Sequence, residues 1–122
     1  MGKIILIVED EPKNLKLIQD LLQASGYRTV EATDGRQGVE LARDRKPDLI
    51  LMDIQLPVMD GLEATRILKA NITTRDIPII ALTSYAMPGD EERAREAGCD
   101  GYITKPIDTK AFLKKVAEYF SR

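Results

Sequence analysis

Short apolar runs alternate with amphipathic stretches along the whole chain. Five runs have the length and apolar content of buried strands, at residues 4–8, 28–32, 49–52, 78–82 and 102–104. Each is followed by a stretch that we interpret as a helix, at residues 12–25, 35–45, 61–70, 88–97 and beyond Asp108. In the first, second and last of these stretches, apolar residues recur at the spacing of a helix with one buried face. Strand followed by helix, five times, predicts a parallel sheet with helices on both faces, because such crossovers are right-handed.

The fourth predicted helix differs from the others in composition. Residues 88–97 contain six charged side chains and few large apolar ones. We therefore expect this helix to be only lightly packed, which favours a mobile or partner-facing element.

Length and composition narrow the class of protein. The chain has 122 residues, 43% of them hydrophobic and 31% charged, which predicts one domain without an attached output domain. No apolar run is long enough to span a bilayer, and the N-terminal run lacks the features of a signal peptide, so we expect a cytoplasmic protein. A net charge of −2 predicts no nucleic-acid partner.

The chain contains no histidine and a single cysteine. The absence of histidine excludes Ser-His-Asp and Cys-His catalysis and also histidine-based metal sites. Without a histidine to activate it, Cys99 is better interpreted as a small buried hydrophobic residue than as a nucleophile.

Polar residues follow the predicted strands at the point where each one ends. Asp53 comes directly after the apolar run 49–52, and Pro57 and Gly61 interrupt the chain soon afterwards. The carboxyl ends of parallel strands share one sheet edge, where open α/β sheets bind ligands, so we expect these residues to converge there and to reach solvent. The corresponding residues of the other strands are Glu9, Asp10 and Glu11, then Thr83 and Ser84, then Thr104 and Lys105.

The residue types in this set predict a divalent metal and a phosphoryl group. Clustered carboxylates repel one another, and oxygen ligands without histidine or cysteine favour Mg²⁺ or Mn²⁺ over Zn²⁺. Lys105 suits a phosphoryl oxygen, and Thr83 or Ser84 can donate a hydrogen bond to another. A carboxylate can itself attack phosphorus. We therefore expect Asp53 to take up a phosphoryl group while a metal and Lys105 stabilise the transferred charge.

Each of these residues also has an ordinary structural explanation. The acids from Glu9 onwards can favour the dipole of the first helix, and Asp53 can cap a turn. Lys105 can be a solvated loop residue, and Thr83 and Ser84 can cap a helix. Together, these explanations would have to place every unusual polar residue on the same sheet edge by coincidence, which favours the functional interpretation.

Four segments of the chain resemble the receiver domain of two-component response regulators, and they follow one another in the same order as in that domain. They are residues 7–11, 48–61, 78–84 and 98–106. The resemblance covers essentially the whole chain and implies a flavodoxin-like (βα)5 three-layer sandwich with strand order 2-1-3-4-5, formed by one receiver domain over residues 1–122. The length and residues 85–93 most resemble single-domain regulators of the cell-division type.

The resemblance also implies roles for individual residues. Asp53 would accept a phosphoryl group from a sensor histidine kinase or a histidine phosphotransfer protein. Lys105 would contact that group, Thr83 would move towards it, and Tyr102 would change rotamer with Thr83. The chain would catalyse only its own phosphorylation and dephosphorylation, and would signal through the face of its fourth helix, fifth strand and fifth helix. Mg²⁺ would be held by Glu9, Asp10, Asp53 and the backbone carbonyl of Gln55.

Two other functions share parts of this pattern. An aspartyl-nucleophile phosphatase also uses a strand-end aspartate and Mg²⁺, but it generally carries a second aspartate where this chain has Gln55, and it has a cap domain. A flavin-binding module has a similar topology, but the acidic first loop would repel the flavin phosphate.

The resemblance to receiver domains also implies that Gln55 and Tyr85 lie at positions that tune the lifetime of the phosphoryl group.

Overall fold

A computed structural model describes residues 2–83 and 88–120 of the chain. Strands and helices alternate throughout this part. In chain order they are β1 (Ile4–Val8), α1 (Pro12–Ala24), β2 (Arg28–Ala32), α2 (Gly35–Arg45), β3 (Leu49–Asp53), α3 (Gly61–Ala70), β4 (Ile79–Thr83), α4 (Asp90–Ala97), β5 (Gly101–Thr104) and α5 (Thr109–Phe120).

The five strands form one parallel sheet in the order β2-β1-β3-β4-β5. This order confirms the predicted flavodoxin-like topology. From β1 the chain adds β2 on one side and β3 on the other, so the order in which strands are added reverses between β1 and β3. The carboxyl ends of these two strands therefore border the crevice where such sheets bind ligands.

The sheet buries a separate hydrophobic cluster on each of its faces. Successive side chains of a strand point to opposite faces, so Leu6 and Val8 belong to one cluster while Ile5 and Ile7 belong to the other. The first cluster is covered by α2, α3 and α4, and the second by α1 and α5. The predicted three-layer arrangement is therefore confirmed.

Several element boundaries differ from the predicted ones by one or two residues. β3 extends to Asp53, which pairs with Leu82, and β4 extends to Thr83, so both polar residues belong to strands rather than to the loops after them. α4 begins at Asp90 instead of residue 88 because Gly89 adopts a left-handed conformation with φ of +88°.

Two further expectations concern α4 and the segment before it. α4 buries only Ala94 and Ala97, which confirms the predicted light packing. The predictions for Ser84 and Tyr85 lie outside the described residues.

Within residues 2–83 and 88–120, no helix has both the length and the apolar character that crossing a bilayer requires.

Candidate functional site

Three polar residues predicted at the strand ends meet at the carboxyl edge of the sheet. Glu9 follows β1, and its backbone N–H donates to the carbonyl oxygen of Ala32, which continues the strand pairing by one residue. Asp53 is the last residue of β3. Lys105 follows β5, and its backbone N–H donates to the carbonyl oxygen of Thr83 at 2.7 Å. The backbone of the sheet therefore fixes the position of all three.

The ammonium group of Lys105 joins the two buried carboxylates. Its Nζ donates to Oδ2 of Asp53 at 3.0 Å and also to Oε1 of Glu9. The exposed fractions of the side chains are 8% for Lys105, 0% for Glu9 and 6% for Asp53. Asp53 was expected to reach solvent at the end of its strand, and its side chain is instead almost entirely buried. Two buried carboxylates require such a partner, because an unpaired buried charge is strongly unfavourable.

Glu9, Asp10 and Asp53 also form a candidate metal site. One carboxylate oxygen from each can be chosen so that all three lie within 4.8 Å of one another. Asp10 is exposed, so the cluster has a side open to solvent. With Lys105 ionised, three ionised carboxylates leave two negative charges uncompensated, the charge of one divalent cation. The hard oxygen ligands and this charge fit Mg²⁺ or Mn²⁺.

Glu11, which was predicted to lie with these acids at the first strand end, instead caps the following helix. Its Oε1 accepts a hydrogen bond from the backbone N–H of Lys13 at 3.1 Å, at the N-terminus of α1. Its own backbone N–H donates to Oε2 of Glu9 at 3.1 Å. For Glu11, the ordinary structural explanation is therefore the correct one, and its backbone helps to hold Glu9 in place.

Burial changes the protonation of the site. It raises the pKa of Glu9 from 4.5 to about 7, although the hydrogen bond from Lys105 acts in the opposite direction. Burial alone would lower the pKa of Lys105, but its hydrogen bonds and charge interactions with Glu9 and Asp53 outweigh burial and raise it. Lys105 therefore stays protonated at neutral pH, and Glu9 is partly protonated in the metal-free protein.

The loop between β3 and α3 orients Asp53 from the other side. The backbone N–H of Gln55 donates to Oδ1 of Asp53 at 2.9 Å, so each carboxylate oxygen has its own donor. The loop closes where the N–H of Gly61 donates to the carbonyl oxygen of Ile54 at 2.9 Å. A Cβ on Gly61 would overlap the carbonyl oxygen of Asp53, so only glycine fits there. The sequence predicted the turn at Gly61 but not this close approach.

The two residues predicted to act as switches lie on neighbouring strands. Thr83 is buried at the end of β4, and Tyr102 is half-buried on β5, beside the hydrophobic cluster covered by α4. Burial raises the pKa of the Tyr102 phenol, and the charge of Glu91 on α4 raises it further, while Arg93 lowers it. Tyr102 is therefore electrostatically coupled to α4. The movements assigned to Thr83 and Tyr102 stay predictions.

Cys99 lies away from this site and is buried, as predicted. Its sulfur contacts the hydroxyl oxygen of Thr65 on α3 at 3.8 Å. Burial raises the pKa of the thiol, which disfavours the reactive thiolate.

Comparisons with known proteins agree with the fold and the site. A family model of the response regulator receiver domain matches residues 5–117. The chain is 50% identical over 119 residues to the polar-differentiation response regulator DivK of Brucella anthropi, covering 98% of this chain and 97% of the relative. DivK of Brucella ovis matches with the same identity and coverage.

Solved structures give the same result. The receiver domain of a sensor histidine kinase from Pseudomonas aeruginosa, with a magnesium ion coordinated in its active-site cleft, superimposes with a TM-score of 0.93 at 39% identity and covers both chains completely. The chemotaxis response regulator CheY4 of Vibrio cholerae superimposes with a TM-score of 0.91 at 26% identity, covering 98% of this chain and 99% of that one. The chain therefore belongs to the response regulator receiver domain family of two-component systems.

Proposed function

We propose that the chain accepts a phosphoryl group on Asp53 from a sensor histidine kinase or a histidine phosphotransfer protein, and that phosphorylation changes the surface it presents to a downstream protein. The observation that carries this proposal is the ammonium of Lys105, 3.0 Å from Oδ2 of Asp53 in a cluster of buried acids. Because residues 1–122 contain no histidine, a donor phosphohistidine has to lie outside this domain.

The surroundings of Asp53 suit it to this reaction. A carboxylate oxygen attacks phosphorus, an O–P bond forms, the N–P bond of the phosphohistidine breaks, and the imidazole keeps the electron pair of that bond and takes up a proton. Phosphoryl transfer needs positioning and charge stabilisation more than covalent help from the protein. The N–H of Gln55 and the ammonium of Lys105 orient the carboxylate, and Lys105 also stabilises negative charge on the transferred group.

The acidic cluster is the proposed metal site. Glu9, Asp10 and Asp53 would hold Mg²⁺, or Mn²⁺, together with the backbone carbonyl of Gln55. When bound, the ion neutralises negative charge on the acceptor and on the phosphoryl oxygens. The separation of the three carboxylates and the magnesium in the Pseudomonas aeruginosa receiver support this assignment.

The proposed output runs from the phosphorylated site through Thr83 and Tyr102 to the face formed by α4, β5 and α5. The backbone oxygen of Thr83 accepts a hydrogen bond from the backbone N–H of Lys105. The phenol of Tyr102 interacts electrostatically with charged side chains of α4. A helix that buries only two alanines can shift at low energetic cost, so a small change in charge at Asp53 suffices to bias it.

We further propose that the chain acts as a stand-alone receiver in the cytoplasm, with protein partners and no nucleic-acid or membrane partner. The chain covers 97% of the length of the DivK proteins that it resembles, which supports this reading. Its catalytic activity would be limited to its own phosphorylation and dephosphorylation. No observation favours an aspartyl-nucleophile phosphatase, and we expect no steady turnover of phosphomonoesters.

Phosphotransfer to an Asp53→Asn variant tests the proposal. A panel of histidine kinases labelled with radioactive ATP is offered to the wild type, to Asp53→Asn and to Asp60→Asn. Asp60 caps α3 by accepting a hydrogen bond from the N–H of Glu63, and asparagine caps equally well, so this variant is the matched control. We expect label on the wild type and the control only, and none in the presence of EDTA. Unchanged labelling of Asp53→Asn overturns the proposal.

A further inference from the structure

The loop between β3 and α3 contains a strained three-residue turn. The N–H of Met59 donates to the carbonyl oxygen of Pro57 at 2.7 Å, and Val58 between them has φ of +68°. A γ-turn with positive φ at its centre is the rarer and more strained of the two forms. A β-branched side chain is especially unfavourable in that region, so local stability alone would favour glycine or asparagine here.

Val58 is also the most exposed of the large hydrophobic residues in the described part of the chain. Its exposed fraction is 78%, compared with 72% for Ile72 and 45% for Leu17. A single exposed apolar residue needs no explanation by itself. Within residues 2–83 and 88–120, however, the non-glycine residues with positive φ are Lys46 and Val58, so Val58 alone combines backbone strain with apolar exposure. That combination indicates a role other than stability.

The rest of the loop holds this exposed residue in a fixed position. Leu56 and Met59, on either side of the turn, are partly buried and pack against the hydrophobic cluster covered by α2, α3 and α4. The carbonyl oxygen of Met59 lies so close to Gly35 that a Cβ on Gly35 would overlap it. Pro57 and Val58 therefore form an apolar apex, and the residues on either side of it are packed against the rest of the domain.

This apex belongs to the rim of the proposed acceptor site. The loop includes Gln55, whose N–H binds Asp53, and it closes at Gly61 beside the end of β3. Three peptide units separate Val58 from Gln55, so their Cα atoms are at most about 11 Å apart. A protein that brings a phosphohistidine to Asp53 has to cover this rim.

We propose that Val58 is a docking residue for the phosphoryl donor protein and packs against an apolar patch beside the donor's phosphohistidine. This inference rests on the proposed function, because it requires transfer from a partner's histidine to Asp53. An apolar side chain gains from contact only with an apolar surface, which sets the chemistry of the patch. The strained turn orders Val58 before binding, so little conformational entropy is lost on association.

A comparison of two phosphoryl donors tests the inference. Acetyl phosphate reaches Asp53 without a docking surface, whereas a histidine kinase has to cover the loop. The kinase is the one that transfers fastest to the wild type in a panel of purified kinases. We expect Val58→Asp to lower kcat/KM for transfer from this kinase at least tenfold, mainly through KM, and to leave phosphorylation by acetyl phosphate within twofold. Val58→Ile, which keeps the branched apolar shape, should retain transfer from both donors.

Ile72→Asp is the matched control. Ile72 is almost as exposed as Val58 but lies between α3 and β4, at the opposite edge of the sheet, so both reactions should stay within twofold of the wild type. The inference is overturned if Val58→Asp lowers phosphorylation by both donors equally, or if it lowers phosphorylation by neither. It is also overturned if the only change is in the oligomeric state of the protein, measured as its molar mass by light scattering. If neither donor labels the wild type, the proposed function itself fails.

Discussion

Replacing Glu9 with glutamine should remove a pH-dependent loss of stability from the metal-free protein. The Glu9 side chain is fully buried, and burial raises its pKa from 4.5 to about 7. Between these two values the folded state keeps a proton that the unfolded state releases. The contribution of Glu9 to stability is therefore fully present below pH 4.5 and is lost as the pH rises through about 7.

The size of this effect follows from the difference between the two pKa values. A pKa that rises from 4.5 to about 7 corresponds to about 3–4 kcal/mol in full, at about 1.4 kcal/mol per pKa unit. That is a large fraction of the free energy of unfolding of an ordinary domain, which is roughly 5–15 kcal/mol. Glutamine has nearly the same shape and can still accept a hydrogen bond from Lys105, but it does not titrate.

Urea unfolding followed by circular dichroism, from pH 4 to pH 8 in EDTA, measures the effect. The free energy of unfolding of Glu9→Gln, relative to the wild type, should rise by about 3 kcal/mol between pH 4.5 and pH 7.5. Titrating groups outside the cluster of Glu9, Asp53 and Lys105 contribute to both curves alike, so the difference between the two curves reports the titration of Glu9 and of the groups in contact with it. Glu40→Gln, at an exposed position of α2, is the control and should follow the wild-type profile. Parallel curves for Glu9→Gln and the wild type would refute the reasoning.

Further predictions concern the metal and the loop beside it. Adding Mg²⁺ to the wild type should raise the urea midpoint at pH 7.5 and have much less effect at pH 5, because protons compete with the ion for the carboxylates; titration calorimetry at both pH values checks this. Gly35→Ala should lower stability by about 1–3 kcal/mol, because its Cβ would overlap the carbonyl oxygen of Met59, and an unchanged urea midpoint would contradict this. Val58→Asn should raise stability by about 1 kcal/mol, because asparagine tolerates positive φ, and thermal unfolding would show the increase.

The pattern of apolar residues was sufficient to predict the sheet and the edge at which the site lies. Strands buried on both faces appear in the sequence as continuous apolar runs, and parallel connections place their polar ends together. The sequence pattern therefore predicts that Glu9, Asp53 and Lys105 lie close together, as the structure shows. It depended on topology, which tolerates errors of one or two residues in the bounds of each element.

The pattern of apolar residues does not predict the local direction of the backbone. Glu9 and Glu11 are the same residue type two positions apart, yet one side chain is buried beside Lys105 and the other caps α1. The turn after β1 decides between them, and composition does not encode it. At Val58, the β-branched side chain favours negative φ, so sequence preference and observed conformation disagree. Such disagreements are expected at functional sites.

The arrangement around Lys105 places stability and the proposed function in opposition. A buried ion pair rarely stabilises a fold more than apolar residues of similar volume, and here one ammonium serves two carboxylates. In the proposed reaction Asp53 gains a phosphoryl group, and the new negative charge would draw the shared ammonium of Lys105 away from Glu9, beside the divalent cation proposed for the same site. Glu9→Gln should therefore stabilise the metal-free protein at neutral pH and weaken its metal site at the same time. The excess negative charge that lowers the stability of the metal-free protein is also what would attract a divalent cation to the proposed site.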